Sequence, residues 1–88
     1  PSAYSLGQNY PNPFNPTTNI KFDVARLGGV KIVVYNAMGR EVQKLVNENL
    51  NPGTYETIFD GSNLSSGVYF YKISSGDFSE TKKMLLVK

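Results

Sequence analysis

The amino-acid sequence predicts an all-β antiparallel sandwich of about seven short strands. Apolar and polar residues alternate with period two in several segments, which is the pattern of half-buried strands. Glycine, proline and asparagine supply turn signals about every 8–12 residues between these segments. No stretch keeps apolar residues at the helical period, so a helical or mixed fold is not predicted.

The segment Leu64–Ile73 is the most informative part of the chain, because a glycine corner leads directly into an aromatic strand. Gly67 permits a backbone conformation that other residues disfavour. A glycine two residues before Tyr69 at a strand start is typical of the tyrosine corner of immunoglobulin-like sandwiches, whose phenol bonds back to upstream backbone. We therefore predict an immunoglobulin-like fold. One face of this strand is predicted to carry Tyr69, Tyr71 and Ile73, and the other face Val68 and Phe70.

Length and composition limit both the fold and the function. Eighty-eight residues predict one domain, 1–88, with a thin core. The chain has no cysteine and no histidine, which removes the thiolate and the commonest general base and metal ligand. A net charge of +2 without a basic run does not predict nucleic-acid binding. No apolar run exceeds four residues, as in Met84–Val87, which is far too short to span a bilayer, and no amino-terminal signal peptide is visible in the sequence.

Residues 1–17 are rich in proline and asparagine and predict an irregular strap that covers an end of the sandwich. We expect Leu6, Tyr10 and Phe14 to anchor this strap to the core. The spacing of Pro13 and Pro16 also fits a PxxP ligand, which is the alternative interpretation.

The first regular strands are predicted at Asn19–Val24 and Val30–Tyr35, each with one apolar face. A turn at 36–39 follows, with Gly39 in a positive-φ conformation. The returning strand, 40–46, breaks strict alternation because Val42 and Leu45 are three residues apart. We expect a β-bulge or a short helical turn there.

The second half of the chain continues this pattern. Pro52-Gly53 has the residues of a type II turn. The strand 54–59 follows, with Tyr55 and Phe59 predicted to face inward. Ser75-Gly76 predicts a hairpin turn before a last strand over 78–88.

The acidic residues do not predict an active site. They are spread along the chain: Asp23, Glu41, Glu48, Glu56, Asp60, Asp77 and Glu80. A glycosidase needs two carboxylates across a cleft, and a domain of this size offers little room for one. The segment 60–63 is the only candidate calcium loop, and a structural turn is the favoured interpretation. We therefore expect no catalysis, no cofactor and no metal.

Two features allow a contact surface as an alternative to simple packing. Phe70 beside Val68 could mark such a surface, although core packing is favoured. The pattern of the tail 81–88 predicts a hydrophobic edge strand whose lysines deter edge-to-edge pairing with other chains. A partner could instead recognise it by strand addition or through its basic end.

Five motifs occur in a recognisable order along the chain. They are Gln8-Asn-Tyr-Pro-Asn-Pro-Phe-Asn-Pro16, Val34-Tyr-Asn36 with Gly39-Arg-Glu-Val42, Pro52-Gly-Thr-Tyr55, Ser66-Gly-Val-Tyr-Phe-Tyr71 and Thr81-Lys-Lys-Met84. Together they resemble the type A carboxy-terminal sorting domain of the type IX secretion system of Bacteroidetes. The same pattern is similar to the immunoglobulin-like domain of flagellar hook-capping proteins.

This resemblance implies a seven-stranded immunoglobulin-like domain at the end of a secreted cargo protein. Such domains carry the upstream, covalently linked cargo from the periplasm through the outer-membrane translocon to the cell surface or beyond. A sortase-like cysteine peptidase at the surface then removes them. The residues that match the recognition elements of the family are Gly67, Val68, Tyr69, Phe70, Tyr71, Lys82, Lys83, Met84 and Lys88.

Two other functions stay open from the residues alone. The tyrosines and Phe70 also fit a carbohydrate- or surface-binding accessory module of an extracellular protein. A structural spacer or assembly domain, like the hook-capping module, is the third candidate.

Overall fold

The computed structural model describes residues 1–88 and contains seven strands and no helix. The strands are β1 (Ser5–Leu6), β2 (Thr17–Val24), β3 (Gly28–Asn36), β4 (Glu41–Leu50), β5 (Gly53–Asp60), β6 (Gly67–Ser75) and β7 (Phe78–Leu86). The predicted all-β class is therefore confirmed. The chain forms no helix long and apolar enough to cross a membrane.

The strands form two antiparallel sheets, with the orders β1-β2-β5 and β4-β3-β6-β7. These neighbours match the A-B-E and C-F-G groupings of immunoglobulin-like sandwiches, in which a tyrosine corner lies at the start of the sixth strand. The fourth strand pairs with the third here, instead of joining the fifth strand as in a constant-type domain. The predicted immunoglobulin-like sandwich is confirmed.

The core lies between the two sheets and is built by the inward faces predicted from alternation. The inward side chains of β2 and β3 are fully buried or nearly so: Ile20, Phe22, Val24, Val30, Ile32 and Val34. Tyr69, Tyr71 and Ile73 of β6 share the inward face, and Phe59 of β5 lies opposite. Tyr55 is half-buried and stacks on Phe22 at a centroid distance of 5.5 Å.

Strand β4 contains two register irregularities, at the residues that broke the predicted alternation. Ile32 pairs with Val46 and Val33 with Lys44, so Leu45 is skipped. Val34 pairs with Gln43 and Tyr35 with Glu41, so Val42 is skipped as well. Each bulge adds one residue to the strand, which lets Val42 and Leu45 both pack against the core. The bulge, and not the helical turn, is the form that the structure adopts.

Two of the predicted turns are confirmed and one is wrong. Gly39 has a φ of +83° and Gly76 a φ of +57°. Gly53 is not among the glycines with positive φ, so Pro52-Gly53 is not a type II turn. The physical reason is that β4 and β5 belong to different sheets. The chain crosses between sheets at this point, and no hairpin reversal is needed.

Strand boundaries differ from the predicted ones mainly by extension. β4 runs to Leu50 instead of Val46, and β3 starts at Gly28, inside the predicted loop. Strand β7 ends at Leu86, before the predicted Lys88. The short strand β1 was not predicted, because two residues carry no periodic signal.

Candidate functional site

The predicted tyrosine corner is present at the start of β6. Gly67 has a φ of +152°, a region that residues with a Cβ rarely adopt. The Tyr69 hydroxyl donates a hydrogen bond of 2.8 Å to the backbone carbonyl of Ser65. This bond fixes the loop before the strand to the strand itself, as the corner motif requires.

The second tyrosine of the strand, Tyr71, holds the amino-terminal strap. Its hydroxyl donates to the Gly7 carbonyl at 2.7 Å and accepts from the Asn9 backbone N–H at 2.7 Å. Burial raises the pKa of Tyr71 to about 12; the bond from Asn9 opposes this rise, and the charge of Glu80 adds to it. The phenol is therefore neutral at neutral pH and acts as a two-way hydrogen-bond bridge.

The strap is anchored by Leu6, Asn9 and Phe14, which differs from the predicted set. Leu6 and Phe14 are buried as predicted, but Tyr10 is 79% exposed. Tyr10 pairs through its backbone with Asn19 of β2, and its side chain is on the outside. Asn9 is the buried residue instead. Its side-chain Nδ2 donates to Thr18 Oγ1 and to the Pro11 carbonyl.

The strap also covers the free edge of the terminal strand. Phe14 N–H donates to the Leu85 carbonyl at 2.9 Å, and the Phe14 carbonyl accepts from Val87 N–H at 3.0 Å. Asn12 Oδ1 accepts from Leu85 N–H at 3.0 Å, and Gln8 Nε2 donates to the Lys83 carbonyl at 2.8 Å. The carboxyl-terminal half of the β7 edge is thus occupied by the chain itself.

Lys88 is turned back onto the loop that precedes the tyrosine corner. Its Nζ donates to the carbonyls of Ser62 at 2.6 Å and Leu64 at 2.9 Å. Its backbone N–H donates to Ser66 Oγ at 2.9 Å. The predicted basic end of the tail is therefore engaged in intramolecular bonds.

The outward face of the four-stranded sheet carries a continuous apolar area. Tyr35 pairs in register with Phe70, and Val68 pairs with Leu85. Val68 and Leu85 are 37% and 38% exposed, whereas Tyr35 and Phe70 are half-buried. We call the side chains of Tyr35, Val68, Phe70 and Leu85 the outer patch.

Lysines border the outer patch. Lys83 is the cross-strand neighbour of Phe70, and Lys72 lies two residues further along β6. Neither forms an ion pair, whereas Lys44 pairs with Glu41 at 3.3 Å. In the strands of this face, Glu41 is the one acidic residue that points outward. The border is therefore cationic.

The candidate calcium loop is a structural turn. Asp60 Oδ1 accepts from the backbone N–H and the hydroxyl of Ser62, which closes the loop locally. These bonds, with a smaller effect of Lys88, lower the pKa of the Asp60 carboxyl. No three acidic side chains lie close enough to hold a metal ion.

A family model described as the secretion system C-terminal sorting domain matches residues 8–88, from the strap to the last residue. The chain belongs to this family. It is a sorting signal domain of type IX secretion cargo, and membership implies export to the cell surface or the extracellular space. No curated protein matches the chain.

A solved structure shares the fold of the sorting domain. It is the crystal structure of dimeric latent PorU from Porphyromonas gingivalis, with a TM-score of 0.74 and 17% sequence identity. The match covers 97% of this chain and 9% of that one, so the sorting domain corresponds to a small part of the PorU chain.

The predicted recognition residues of the sorting domain fall into separate groups. Val68, Phe70 and Lys83 point outward, whereas Tyr69, Tyr71 and Met84 are buried in the core. Lys82 forms an ion pair of 3.3 Å with Glu80 at the sandwich edge. Gly67 and Lys88 shape the corner and its loop.

Three residues of the site, Asn9, Tyr35 and Leu85, were not predicted from the sequence. Asn9 is polar and lies in an irregular segment, so no periodicity marks it as buried. Tyr35 and Leu85 lie on outward positions of predicted strands, and their alternation with Val34 and Met84 could have placed them beside Phe70.

Proposed function

We propose that this sorting domain carries a covalently linked upstream cargo protein from the periplasm through the outer-membrane translocon of the type IX system. A sortase-like cysteine peptidase then cleaves the domain from the cargo at the cell surface. The family match over residues 8–88 is the observation that carries this proposal. Because the strap bonds to both sheets, we propose that residues 1–88 act as one unit.

The domain acts as a signal and not as a catalyst in this proposal. The absence of cysteine and histidine supports this assignment, as does the dispersed placement of the carboxylates. A passive signal has to present a stable surface, and the hydrogen bonds of Tyr69 and Tyr71 serve that purpose.

Recognition by the export machinery is divided between two kinds of residue. We propose that Val68, Phe70 and Lys83 contact the machinery directly, since their side chains point outward. Tyr69, Tyr71 and Met84 contribute by holding the sandwich together, as do Gly67 and Lys88 at the corner. Lys82 has an intermediate position, because Glu80 already pairs with it.

The experiment that tests the proposal is a localisation assay in a bacterium that has the type IX system. Residues 1–88 are fused to the carboxyl end of a reporter that is first directed to the periplasm. We expect the reporter on the cell surface or in the medium. The same reporter without the domain should remain in the periplasm.

A strain that lacks the translocon provides the second control, and there the fusion should also remain in the periplasm. The proposal fails if the complete fusion stays in the periplasm of the competent strain. It also fails if the fusion leaves the cell equally well in both strains, because export would then not depend on the type IX system.

A further inference from the structure

We propose that the outer patch docks an acidic protein surface with an apolar centre, supplied by the export machinery. This inference rests on the proposed function and adds the chemistry of the partner. Its starting point is the position of the patch. Of the predicted recognition residues, Val68, Phe70 and Lys83 lie side by side on this one face.

The composition of the patch is that of a protein interface. Two aromatic and two aliphatic side chains occupy its centre, and lysines form its border. Protein interfaces are enriched in aromatic residues at the centre and polar at the rim. A standard complex buries roughly 800 Å² per partner, which would take nearly the whole 37 Å by 23 Å cross-section of the molecule, so the outer patch forms the centre of such an interface and not its full area.

Charge complementarity specifies an acidic partner. Lys72 and Lys83 have no ion-pair partner within the domain, so their charges are available to a second molecule. The opposite face of the sandwich differs in charge, because β2 and β5 present Asp23, Glu56 and Asp60 there against one lysine, Lys21. An acidic surface is therefore directed to the outer patch and repelled from the other face.

The geometry favours a protein over a lipid surface. Membrane binding through basic residues uses clusters of about 4–8 lysines or arginines. The outer patch has two unpaired lysines at its border. Its four apolar side chains are half-buried or, for Val68 and Leu85, 37% and 38% exposed, and they belong to a sheet instead of the broad apolar face with which an amphipathic helix enters a bilayer.

Two matched pairs of variants test the patch in the localisation assay. Leu85→Ser is compared with Ile58→Ser, because Ile58 is 63% exposed on the opposite sheet. Lys83→Glu is compared with Lys21→Glu, which changes the net charge equally on the other face. We expect the variants at 85 and 83 to reduce export about tenfold, the effect of about 1.4 kcal/mol of lost binding. Both controls should be exported like the wild type.

A charge series at position 83 identifies the acidic character of the partner. Export should decrease in the order Lys83, Lys83→Gln, Lys83→Glu, and Lys83→Arg should match the wild type. Melting temperatures of the purified variants check folding. Lys83→Gln is an exposed substitution that removes no core contact, so it provides a test even if Leu85→Ser unfolds. Equal export of the Arg, Gln and Glu variants would overturn the acidic partner.

Vesicles of equal parts phosphatidylglycerol and phosphatidylcholine serve as the lipid probe. We expect no binding that depends on Lys83. Flotation of the wild type with these vesicles, lost in Lys83→Glu and kept in Lys21→Glu, would replace the protein partner by a lipid surface. If the wild type is exported and all four variants are too, the patch proposal fails and the proposed function stands. If the wild type itself is not exported, the proposed function fails.

Discussion

The backbone nitrogen of Asn9 lies 2.7 Å from the phenol oxygen of Tyr71, across 62 residues of sequence. The same oxygen donates to the carbonyl of Gly7 at 2.7 Å. The Asn9 N–H and the Gly7 carbonyl, both in the strap, are therefore bonded to one side chain of β6. This bridge connects the first motif of the chain with its aromatic strand, and it explains why a tyrosine occupies a fully buried position.

Removing the Tyr71 hydroxyl should destabilise the domain. Tyr71→Phe leaves the Asn9 N–H and the Gly7 carbonyl without their partner, which we expect to cost about 1–3 kcal/mol in the free energy of unfolding. Urea denaturation measures this difference. The matched control is Tyr69→Phe, which removes a single bond to the Ser65 carbonyl. A larger loss in Tyr69→Phe than in Tyr71→Phe would contradict the bridging role.

The same phenol should make the stability depend on pH in the alkaline range. Its pKa is raised by burial from 10.0 in the unfolded chain to about 12 in the folded one. A raised folded-state pKa contributes stability that is complete below pH 10.0 and is lost as the pH rises toward about 12. The difference in unfolding free energy between the wild type and Tyr71→Phe should therefore shrink across this interval.

Absorbance at the wavelength of the tyrosinate ion gives an independent reading of this pKa. We expect Tyr71→Phe to lose the component that titrates near 12. An unchanged titration curve in the variant would show that Tyr71 is not the perturbed group.

The positive φ of Gly67 leads to a prediction that separates backbone strain from steric contact. A Cβ at Gly67 would meet no atom within 4 Å, and the same is true at Gly28. Of these two glycines, only Gly67 has a positive φ, at +152°. Gly67→Val should therefore lose about 1–3 kcal/mol of stability. Gly28→Val should not, because valine favours strands. Equal melting temperatures of the two variants would refute the strained corner.

Lys88 should order the loop before the corner. Its ammonium donates to two loop carbonyls, so Lys88→Met should speed hydrogen exchange at the Leu64 amide, which bonds to the Gly61 carbonyl. The effect on global stability should be below about 1 kcal/mol, since Lys88 is exposed. Lys82→Met is the control, because Lys82 pairs with Glu80 on the strand. An equal change in the exchange rate of the Leu64 amide in both variants would argue against an ordering role of the Lys88 ammonium.

The sequence predicts those parts of the fold that depend on local alternation and on glycine. The inward faces of β2, β3 and β6 follow from period two, and its interruption at Val42 and Leu45 predicts an irregularity there, which only the structure identifies as bulges and not a helical turn. Gly39 and Gly76 are confirmed because a tight hairpin needs positive φ at one position. The type II turn predicted at Pro52-Gly53 is wrong because the same residue pair also suits a crossing between sheets. Only the topology distinguishes a turn from a crossing.

The candidate site is predicted less completely, because its arrangement depends on contacts between distant segments. Residues 67–71 and 82–88 are recognisable as motifs, but periodicity alone does not indicate that Lys88 folds back onto Leu64. Nor does it indicate that the strap occupies the edge of β7. Tyr10 was expected to be an anchor because it is aromatic, whereas the satisfied amide of Asn9 takes the buried place.

The strap protects the outer edge of β7 through the side chain of Asn12. Asn12 Oδ1 is the acceptor for the Leu85 N–H, and Asn15 makes no comparable side-chain bond although it belongs to the same strap. Asn12→Ala should therefore increase the exchange rate of the Leu85 amide, while Asn15→Ala should leave it unchanged. The Met84 amide serves as an internal reference, because alternate residues of an antiparallel strand point to opposite neighbours. If Leu85 keeps its protection in Asn12→Ala, the strap does not shield this part of the edge through Asn12. If Met84 and Leu85 lose protection together, the substitution has loosened the whole strand and not the edge alone.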